Sequence, residues 1–137
     1  MKDIRDARRI VIKIGTSTLT YDTGRINIRR FEHLCKVLSD IRNSGRELVL
    51  VSSGAVGVGV AKLGLDRRPT DTPGKQAAAA VGQCELMYLY DKQFLEKSHK
   101  VAQLLLTRDG FEKPVRRQNM KNSFNRLLEL GVIPIVN

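Results

Sequence analysis

The sequence predicts an α/β fold, a three-layer αβα sandwich with a mainly parallel central sheet. Short runs rich in β-branched residues alternate with longer stretches in which apolar residues recur every three or four positions, in the order β-α-β-α-α-β-α-β. This alternation is typical of a parallel sheet with helices on both faces. The length of 137 residues is that of one domain, so we expect one domain.

Four runs are predicted to form the strands. They are Ile10–Ile14, Glu47–Val51, Val101–Leu106 and Val132–Val136. The first run is apolar except for Lys13, which indicates a strand buried on both faces. A charge buried in such a strand is costly unless it meets an anion. Lys13 therefore either binds an anionic group or reaches past the sheet edge to solvent.

The helices are predicted from apolar spacing and from capping residues. The first runs from Ile28 to about Asn43, with Asn27 as its N-cap and Gly45 just past its end. Its apolar stripe, expected to face the core, consists of Ile28, Phe31, Leu34, Cys35, Leu38 and Ile41. Three further helices are predicted, at Ala55–Lys62, from about Gly74 to Lys97, and from Pro114 to the residue before Gly131.

Turns of glycine and hydroxyl residues follow the first two strands, at Gly15-Thr16-Ser17-Thr18 and at Ser52-Ser53-Gly54-Ala55. Such turns bring backbone N–H groups near an anion, and a helix N-terminus adds free donors and its dipole. Ligands of parallel sheets bind beyond the carboxyl ends of the strands, where these turns, the predicted Thr107–Gly110 loop and Asn137 should meet. We predict an anion site there, with a polyphosphate as the candidate ligand. Alternatively, or in addition, the glycines allow the helix to pack tightly on the sheet.

Two better-known phosphate motifs do not match the second turn and its helix. Gly54 and Gly59 have the spacing of P-loop glycines, but Val60-Ala61 stands where that motif requires lysine and a hydroxyl residue. The dinucleotide fingerprint fails as well, because Lys62 occupies its last glycine or alanine position. Neither of those folds is therefore predicted.

The helices also contain two glutamines whose role stays open and two cysteines. Gln76 and Gln83 lie on the same side of the long helix, either as surface residues or as donors near a ligand. Cys35 and Cys84 are predicted to be buried free thiols, because buried cysteine is common and cytosolic disulfides are rare. No Cys/His pair has zinc-site spacing, and no metal ligands are predicted.

The composition disfavours two classes of partner. A formal charge of +10 suggests nucleic-acid binding, but many of the basic residues lie in separate pairs without interleaved aromatic residues, unlike a base-stacking surface. These pairs are Arg8-Arg9, Arg29-Arg30, Arg67-Arg68 and Arg116-Arg117. No run approaches the ~20 apolar residues of a membrane span, and the first six residues lack the apolar core of a signal peptide. We expect a cytoplasmic protein with no nucleic-acid or membrane partner.

Five stretches, taken in order, resemble the glutamate 5-kinase family of the amino acid kinase superfamily. They are Val11–Ser17, Val51–Ala55, Lys75–Gln83, Leu105–Asp109 and Gly131–Asn137. The lysine-glycine stretch is shared with acetylglutamate, carbamate, aspartate and uridylate kinases of the superfamily. The alanine-rich helix with its two glutamines is what resembles the glutamate member.

The resemblance implies transfer of the γ-phosphoryl group of Mg-ATP to the side-chain carboxylate of L-glutamate, the first step of proline biosynthesis. By position, Lys13 would bridge the ATP phosphates, and Gly15 and Thr16 would line the phosphate loop. The glutamate-binding turn would be formed by Ser53, Gly54 and Ala55, and Asn137 would begin the family's Asn-Glu-Asn-Asp loop. The resemblance also implies inhibition by proline and a homo-oligomer.

The family's motifs continue beyond the point that Asn137 matches. Residues 1–137 are therefore expected to be the amino-terminal, amino-acid-substrate half of a kinase domain, without its ATP-binding carboxyl-terminal half. Alone, such a half is expected to be inactive. Two alternatives remain: another phosphotransferase of the superfamily, or a non-catalytic binding or assembly fragment. A side-chain carboxylate has a pKa near ~4.3 and is ionised at neutral pH, so the chemistry needs no general base.

Overall fold

The computed structural model describes residues 3–137, apart from the side chain of Thr16. The sheet has four parallel strands, β1 (Arg9–Ile14), β2 (Glu47–Ser52), β3 (Lys100–Leu104) and β4 (Val132–Val136). Their order across the sheet is β1-β2-β4-β3, so β1 and β3 are its edges. The predicted parallel sheet is confirmed, and each strand begins and ends close to its predicted bounds.

Helices cover both faces of the sheet. They are α1 (Thr16–Leu19), α2 (Ile28–Asn43), α3 (Ala55–Leu63), α4 (Thr72–Leu95), α5 (Arg108–Glu112) and α6 (Pro114–Glu129), and a 3-10 turn at Ile4–Asp6 precedes β1. The helices α2 and α4 pack on one face, and α6 packs on the other. The predicted three-layer sandwich is therefore confirmed. No described helix is both long enough and apolar enough to cross a membrane.

The main core lies between the sheet and the pair α2–α4. The sheet contributes Ile14, Leu48, Leu50, Ile133 and Ile135, and the helices contribute Phe31, Cys35, Leu38, Tyr90 and Phe94. On the other face, α6 covers the centre of the sheet through Leu128, which packs with Val49 and Val136. On this face the β1 residues Arg9, Val11 and Lys13 are exposed.

Three predictions of burial are wrong. Cys84, predicted to be a buried thiol, is exposed on α4. The strand β1 alternates between exposed and half-buried residues before Ile14, and Val11 is 62 % exposed. The reason is its place at the sheet edge, where α6 does not reach over it. Ile28 is 67 % exposed although we placed it on the core stripe of α2, because it lies in the first turn of that helix, before the core begins at Phe31.

Capping side chains accept hydrogen bonds at the starts of three helices. Asn27 Oδ1 accepts the Arg30 N–H at 3.1 Å and begins α2, and Asp71 Oδ2 accepts the Gly74 N–H at 2.8 Å and begins α4. Thr107 Oγ1 accepts the Gly110 N–H at 3.1 Å. This cap begins the short helix α5 where we predicted a loop.

The helices α3 and α4 cross in backbone contact. A Cβ atom added at Gly59 of α3 would lie 1.7 Å from the carbonyl oxygen of Ala78, and one added at Gly82 of α4 would lie 1.7 Å from that of Ala55. No side chain fits at either position. The glycines therefore allow close packing, which was the alternative to a ligand site. The partner of α3 in this packing is α4 and not the sheet.

Candidate functional site

The turns that follow β1 and β2 lie side by side. Ile14 is in register with Ser52, and the next residue, Ser53, donates its backbone N–H to the Ile14 carbonyl oxygen at 3.1 Å. The Ser53 hydroxyl lies 3.4 Å from the same oxygen. Parallel pairing of neighbouring strands thus brings together the two turns that were predicted to form one anion site.

Lys13 lies on β1, opposite Val51 of β2. Its side chain is exposed and reaches solvent, as one of the two alternatives for this lysine expected, so the cost of burying its charge does not arise. The cause is the position of β1 at the sheet edge, where α6 does not cover the face on which Lys13 lies. No carboxylate of residues 3–137 forms an ion pair with Lys13. The ammonium group is therefore available to an external anion.

Gly15 follows the strand and leaves open space in front of the backbone. A Cβ atom added there would meet no other atom within 4 Å. The chain then turns at once into α1, with the Thr18 N–H donating to the Gly15 carbonyl oxygen at 3.1 Å. We predicted a loop of three hydroxyl residues here. The Thr16 side chain, part of that prediction, lies outside what the structure describes.

Gly54 turns the chain from β2 into α3. Its φ is +101°, a left-handed conformation that favours glycine, and no side chain caps the helix at this end. Within residues 3–137, the backbone N–H groups of the first turn of α3 thus have no capping side chain and can donate to another acceptor. Ala55 itself is buried, and its methyl group packs with Val58 and Leu86. What Ala55 can present at the sheet edge is its backbone.

Asn137 lies at the carboxyl end of β4 and is held on three sides. Its N–H donates to the Leu104 carbonyl oxygen at 3.1 Å, and its own carbonyl oxygen accepts the Leu106 N–H at 3.3 Å. Its side-chain amide donates to Gln83 Oε1 at 2.7 Å. The role of Gln83 was left open, and the structure shows that this half-buried residue orients Asn137, whereas Gln76 is exposed.

A buried hydroxyl pair anchors the end of β2 beneath the site. Ser52 Oγ lies 3.3 Å from the Tyr90 hydroxyl of α4. Burial raises the pKa of Tyr90 to about 12, because the phenolate would lose its hydration there. Tyr90 therefore stays neutral and positions Ser52, the residue directly before the Ser53 turn. The sequence alone gave no sign of this contact.

Thr107 and Arg108 were predicted at the same edge but lie apart from the two paired turns. Thr107 caps α5, and Arg108 Nε donates to Glu112 of the same helix at 3.0 Å. They follow β3, which β4 separates from β2. No contact described within residues 3–137 joins either one to Lys13 or Ser53.

Two further features of the described chain bear on ligands. A cleft of about 560 Å³ lies between the turn after α1 and the helices α3 and α4, and it contains no residue predicted for the site. Within residues 3–137, no group of three or more His, Cys, Asp or Glu side chains is placed to hold a metal ion.

Comparison with known families identifies the fold. Residues 8–137 match the model of the amino acid kinase family. The chain belongs to the amino acid kinase family. Two solved structures share this fold: a UMP kinase from Bacillus anthracis, with a TM-score of 0.55 and 21% identity, and a Giardia carbamate kinase, with a TM-score of 0.58 and 14% identity. The UMP kinase aligns over 95% of this amino acid kinase chain and 52% of its own chain. The carbamate kinase aligns over 95% of this chain and 59% of its own.

Curated relatives of this amino acid kinase chain are named glutamate 5-kinase. One from Clostridium perfringens (strain 13 / Type A) is 57% identical over 99% of this chain and 51% of its own length. One from Listeria welshimeri is 53% identical over 99% of this chain and 49% of its own length. The chain thus spans about half the length of the curated relatives it matches.

Proposed function

We propose that the protein, at its natural length, phosphorylates the side-chain carboxylate of L-glutamate with Mg-ATP. The observation that carries this proposal is the 57% identity to a relative named glutamate 5-kinase, which extends over 99% of the chain. The paired turns at the ends of β1 and β2 supply a cation and free amides, the groups that phosphoryl transfer requires.

We assign the two sides of the site to the two substrates. Lys13, Gly15 and Thr16 bind the ATP phosphates, a role supported by the unpaired ammonium group of Lys13 and the open space at Gly15. The glutamate side is formed by Ser53, Gly54, Ala55 and Asn137, with Gln83 holding the Asn137 amide. On this proposal, residues 1–137 are the amino-acid-substrate half of the kinase domain, and the ATP-binding half lies in sequence beyond them.

The proposed chemistry depends on alignment rather than on a base. The glutamate carboxylate is ionised at neutral pH and attacks the γ-phosphorus of ATP without a general base. ATP, when bound, supplies the phosphoryl group: a carboxylate oxygen forms the new P–O bond, and the bridging oxygen of ATP leaves with ADP. Lys13 offsets negative charge on the phosphates, and the N–H groups at the start of α3, after Gly54, orient the carboxylate. Mg²⁺ would enter bound to ATP, and residues 3–137 contain no group of three or more His, Cys, Asp or Glu side chains placed to hold it.

The proposal extends to regulation, assembly and location. We propose proline as a feedback inhibitor, a homo-oligomer as the working form and the cytoplasm as the location. Proline inhibition and the homo-oligomer are what the resemblance to the glutamate 5-kinase family implies, and the cytoplasm is the location expected from the sequence. No nucleic-acid or membrane partner is part of the proposal.

The test is a substrate panel assayed by trapping the acyl phosphate with hydroxylamine. With Mg-ATP, we expect the natural-length protein to form the hydroxamate from L-glutamate, and to give at least about a hundredfold less product with L-aspartate or N-acetyl-L-glutamate. ADP release with carbamate or UMP should stay at background. A preference for any of these four over L-glutamate would contradict the proposal. Residues 1–137 alone should show no turnover.

A further inference from the structure

Two consecutive residues of α4 contact the two parts of the proposed glutamate side. Gly82 packs against the carbonyl oxygen of Ala55, the first residue of α3. Gln83 accepts a hydrogen bond from the Asn137 amide, with 2.7 Å between Gln83 Oε1 and Asn137 Nδ2. The strands that carry these parts, β2 and β4, are hydrogen-bonded neighbours, and neighbouring strands lie about 5 Å apart. One turn of α4 therefore supports both parts of the site.

The hydrogen bond to Gln83 determines how the Asn137 amide is turned. The Asn137 backbone is already held by its hydrogen bonds to Leu104 and Leu106, so only the side-chain torsions remain to be set. An asparagine amide has a donor end, Nδ2, and an acceptor end, Oδ1. Gln83 holds the donor end against α4, and within residues 3–137 no group donates to Oδ1. The acceptor end of Asn137 is therefore available to a ligand.

The chemistry of L-glutamate determines which of its groups can pair with Oδ1. At neutral pH both carboxylates are ionised and only accept hydrogen bonds, whereas the ammonium group only donates them. Since Oδ1 is an acceptor, its partner in this substrate is the ammonium group. An Asn137 amide turned the other way would present Nδ2 and would pair with a carboxylate instead.

We infer that Gln83 is a positioning residue of the glutamate side, which holds Asn137 so that its Oδ1 accepts a hydrogen bond from the substrate ammonium group. This inference rests on the proposed function. It adds the substrate group that Asn137 recognises and the residue that sets this choice. Gln83 acts through Asn137 and does not contact the reacting atoms.

Gln83 lies on a firmly packed part of α4, as a positioning residue requires. Gly82 before it and Leu86 one turn after it are buried. Leu86 packs with Ala55 and Val58 of α3. A side chain on a packed helix is held more precisely than one on a loop, and Gln83 is itself half-buried. The core thus fixes the place of the acceptor that holds Asn137.

Substitutions that remove or keep this acceptor test the inference. Gln83→Met is close in size and has no amide, which leaves the Asn137 amide free to rotate. In the natural-length protein its KM for L-glutamate should rise at least about tenfold. Its kcat should stay within about threefold of the parent value, because the ammonium group takes no part in the bond exchange. Gln83→Glu keeps the acceptor, and its KM should lie within about fivefold of the parent value.

A substrate analogue separates positioning from a general structural role. Glutarate has both carboxylates of L-glutamate but no ammonium group, so it cannot donate to Asn137 Oδ1. Its inhibition constant against L-glutamate should therefore be the same, within about threefold, in the parent protein and in Gln83→Met. A distorted site would instead weaken glutarate and L-glutamate alike.

Gln93→Met is the matched control on the same helix. Gln93 is also half-buried, and its Oε1 accepts a hydrogen bond from Lys97 at 3.2 Å. This variant should keep the parent KM, and urea unfolding verifies that each variant is folded. An unchanged KM in Gln83→Met, equal KM values in Gln83→Met and Gln83→Glu, or a parallel rise in the glutarate constant would each overturn the inference. With an active parent these results count against Gln83 alone, whereas a parent that forms no hydroxamate from L-glutamate overturns the proposed function as well.

Discussion

At the scale of single residues, the proposed chemistry rests on an exposed cation beside open backbone. Lys13 forms no ion pair within residues 3–137, and the space in front of Gly15 is empty to 4 Å. The Ser53 N–H is hydrogen-bonded to Ile14, which fixes the distance between the two turns. In the proposed function, a ligand with several anionic oxygens contacts both turns.

The first prediction separates the role of Gly15 in binding from its role in folding. In Gly15→Ala the added methyl group meets no protein atom, so the free energy of unfolding should change by less than about 1 kcal/mol. If the space belongs to ATP phosphates, KM for ATP should rise by roughly tenfold to a hundredfold. Urea unfolding and steady-state kinetics measure the two effects. An unchanged KM would contradict the assignment of Gly15 to the phosphate loop.

The sequence predicted which residues reach the sheet edge but not how each one is held. Ser53 and Gly15 could be placed together because the strands before them are parallel and each ends in a turn. The exposure of Lys13 was left open as one of two alternatives, because the edge position of β1 depends on the strand order. The Asn137–Gln83 hydrogen bond joins residues far apart in the chain. Helical spacing alone could not decide whether Gln83 is a surface residue or lies near a ligand.

At the scale of elements, the crossing of α3 and α4 positions the Ser53–Ala55 turn. Gly82 allows the backbone of α4 to touch the carbonyl oxygen of Ala55, the first residue of α3. The start of α3 therefore cannot move without separating the two helices. This contact links the packing of a helix pair to the geometry of the proposed glutamate side.

The second prediction concerns this crossing. In Gly82→Ala the new Cβ atom would lie 1.7 Å from the Ala55 carbonyl oxygen, so the helices must separate. We expect the free energy of unfolding to fall by about 3 kcal/mol, at the upper end of the cost of overpacking. Urea unfolding measures the loss, and Gly15→Ala is the matched control. Equal stability of the two variants would show that α3 and α4 do not cross as described.

Elements were predictable where a local signal specifies them. The bounds of α2 match the prediction, because Asn27 caps its start and the glycine after it has a φ of +93°. The short helices α1 and α5 were expected as loops, because hydroxyl residues favour turns and helix caps alike. The crossing of α3 and α4 required contacts between segments, which no local pattern contains.

At the scale of the whole molecule, a histidine makes the stability dependent on pH. His99 lies between α4 and β3, with Nε2 buried and without a hydrogen-bond partner within residues 3–137. Burial lowers its pKa below the ordinary value of 6.5, and the positive charge of Arg42 lowers it further, while a backbone hydrogen bond with Ser39 opposes these effects. The folded protein therefore holds neutral His99 where the unfolded chain is already protonated.

The third prediction follows from this difference in proton binding. The contribution of neutral His99 is fully present above pH 6.5 and is lost as pH falls through the lower pKa of the folded state. Stability measured by urea unfolding should thus decrease from pH 7.5 to pH 5, and less so in His99→Gln. His33→Gln, at an exposed position, is the control and should keep the slope of the parent protein. A slope unaltered by His99→Gln would contradict the account.

The whole fold was predictable to the level of its layers. Alternating strands and helices implied a parallel sheet covered on both sides, and helices do lie on both faces. The order β1-β2-β4-β3 and the exposure of Cys84 on α4 were not predictable, because both depend on which elements meet in space. The chain spans about half the length of its glutamate 5-kinase relatives, so activity must be measured on the natural-length protein.

In the proposed reaction, Lys13 and the Ser53–Ala55 turn bind the reacting groups from the ends of two neighbouring strands. The most direct test is the turnover of Lys13→Met, measured as glutamyl hydroxamate formation by the natural-length protein. We predict a loss of at least about a hundredfold in kcat, with the free energy of unfolding changed by less than about 0.5 kcal/mol because the side chain is exposed. Lys36→Met, at an exposed position on α2, should retain full activity. Near-normal turnover of Lys13→Met would contradict the account.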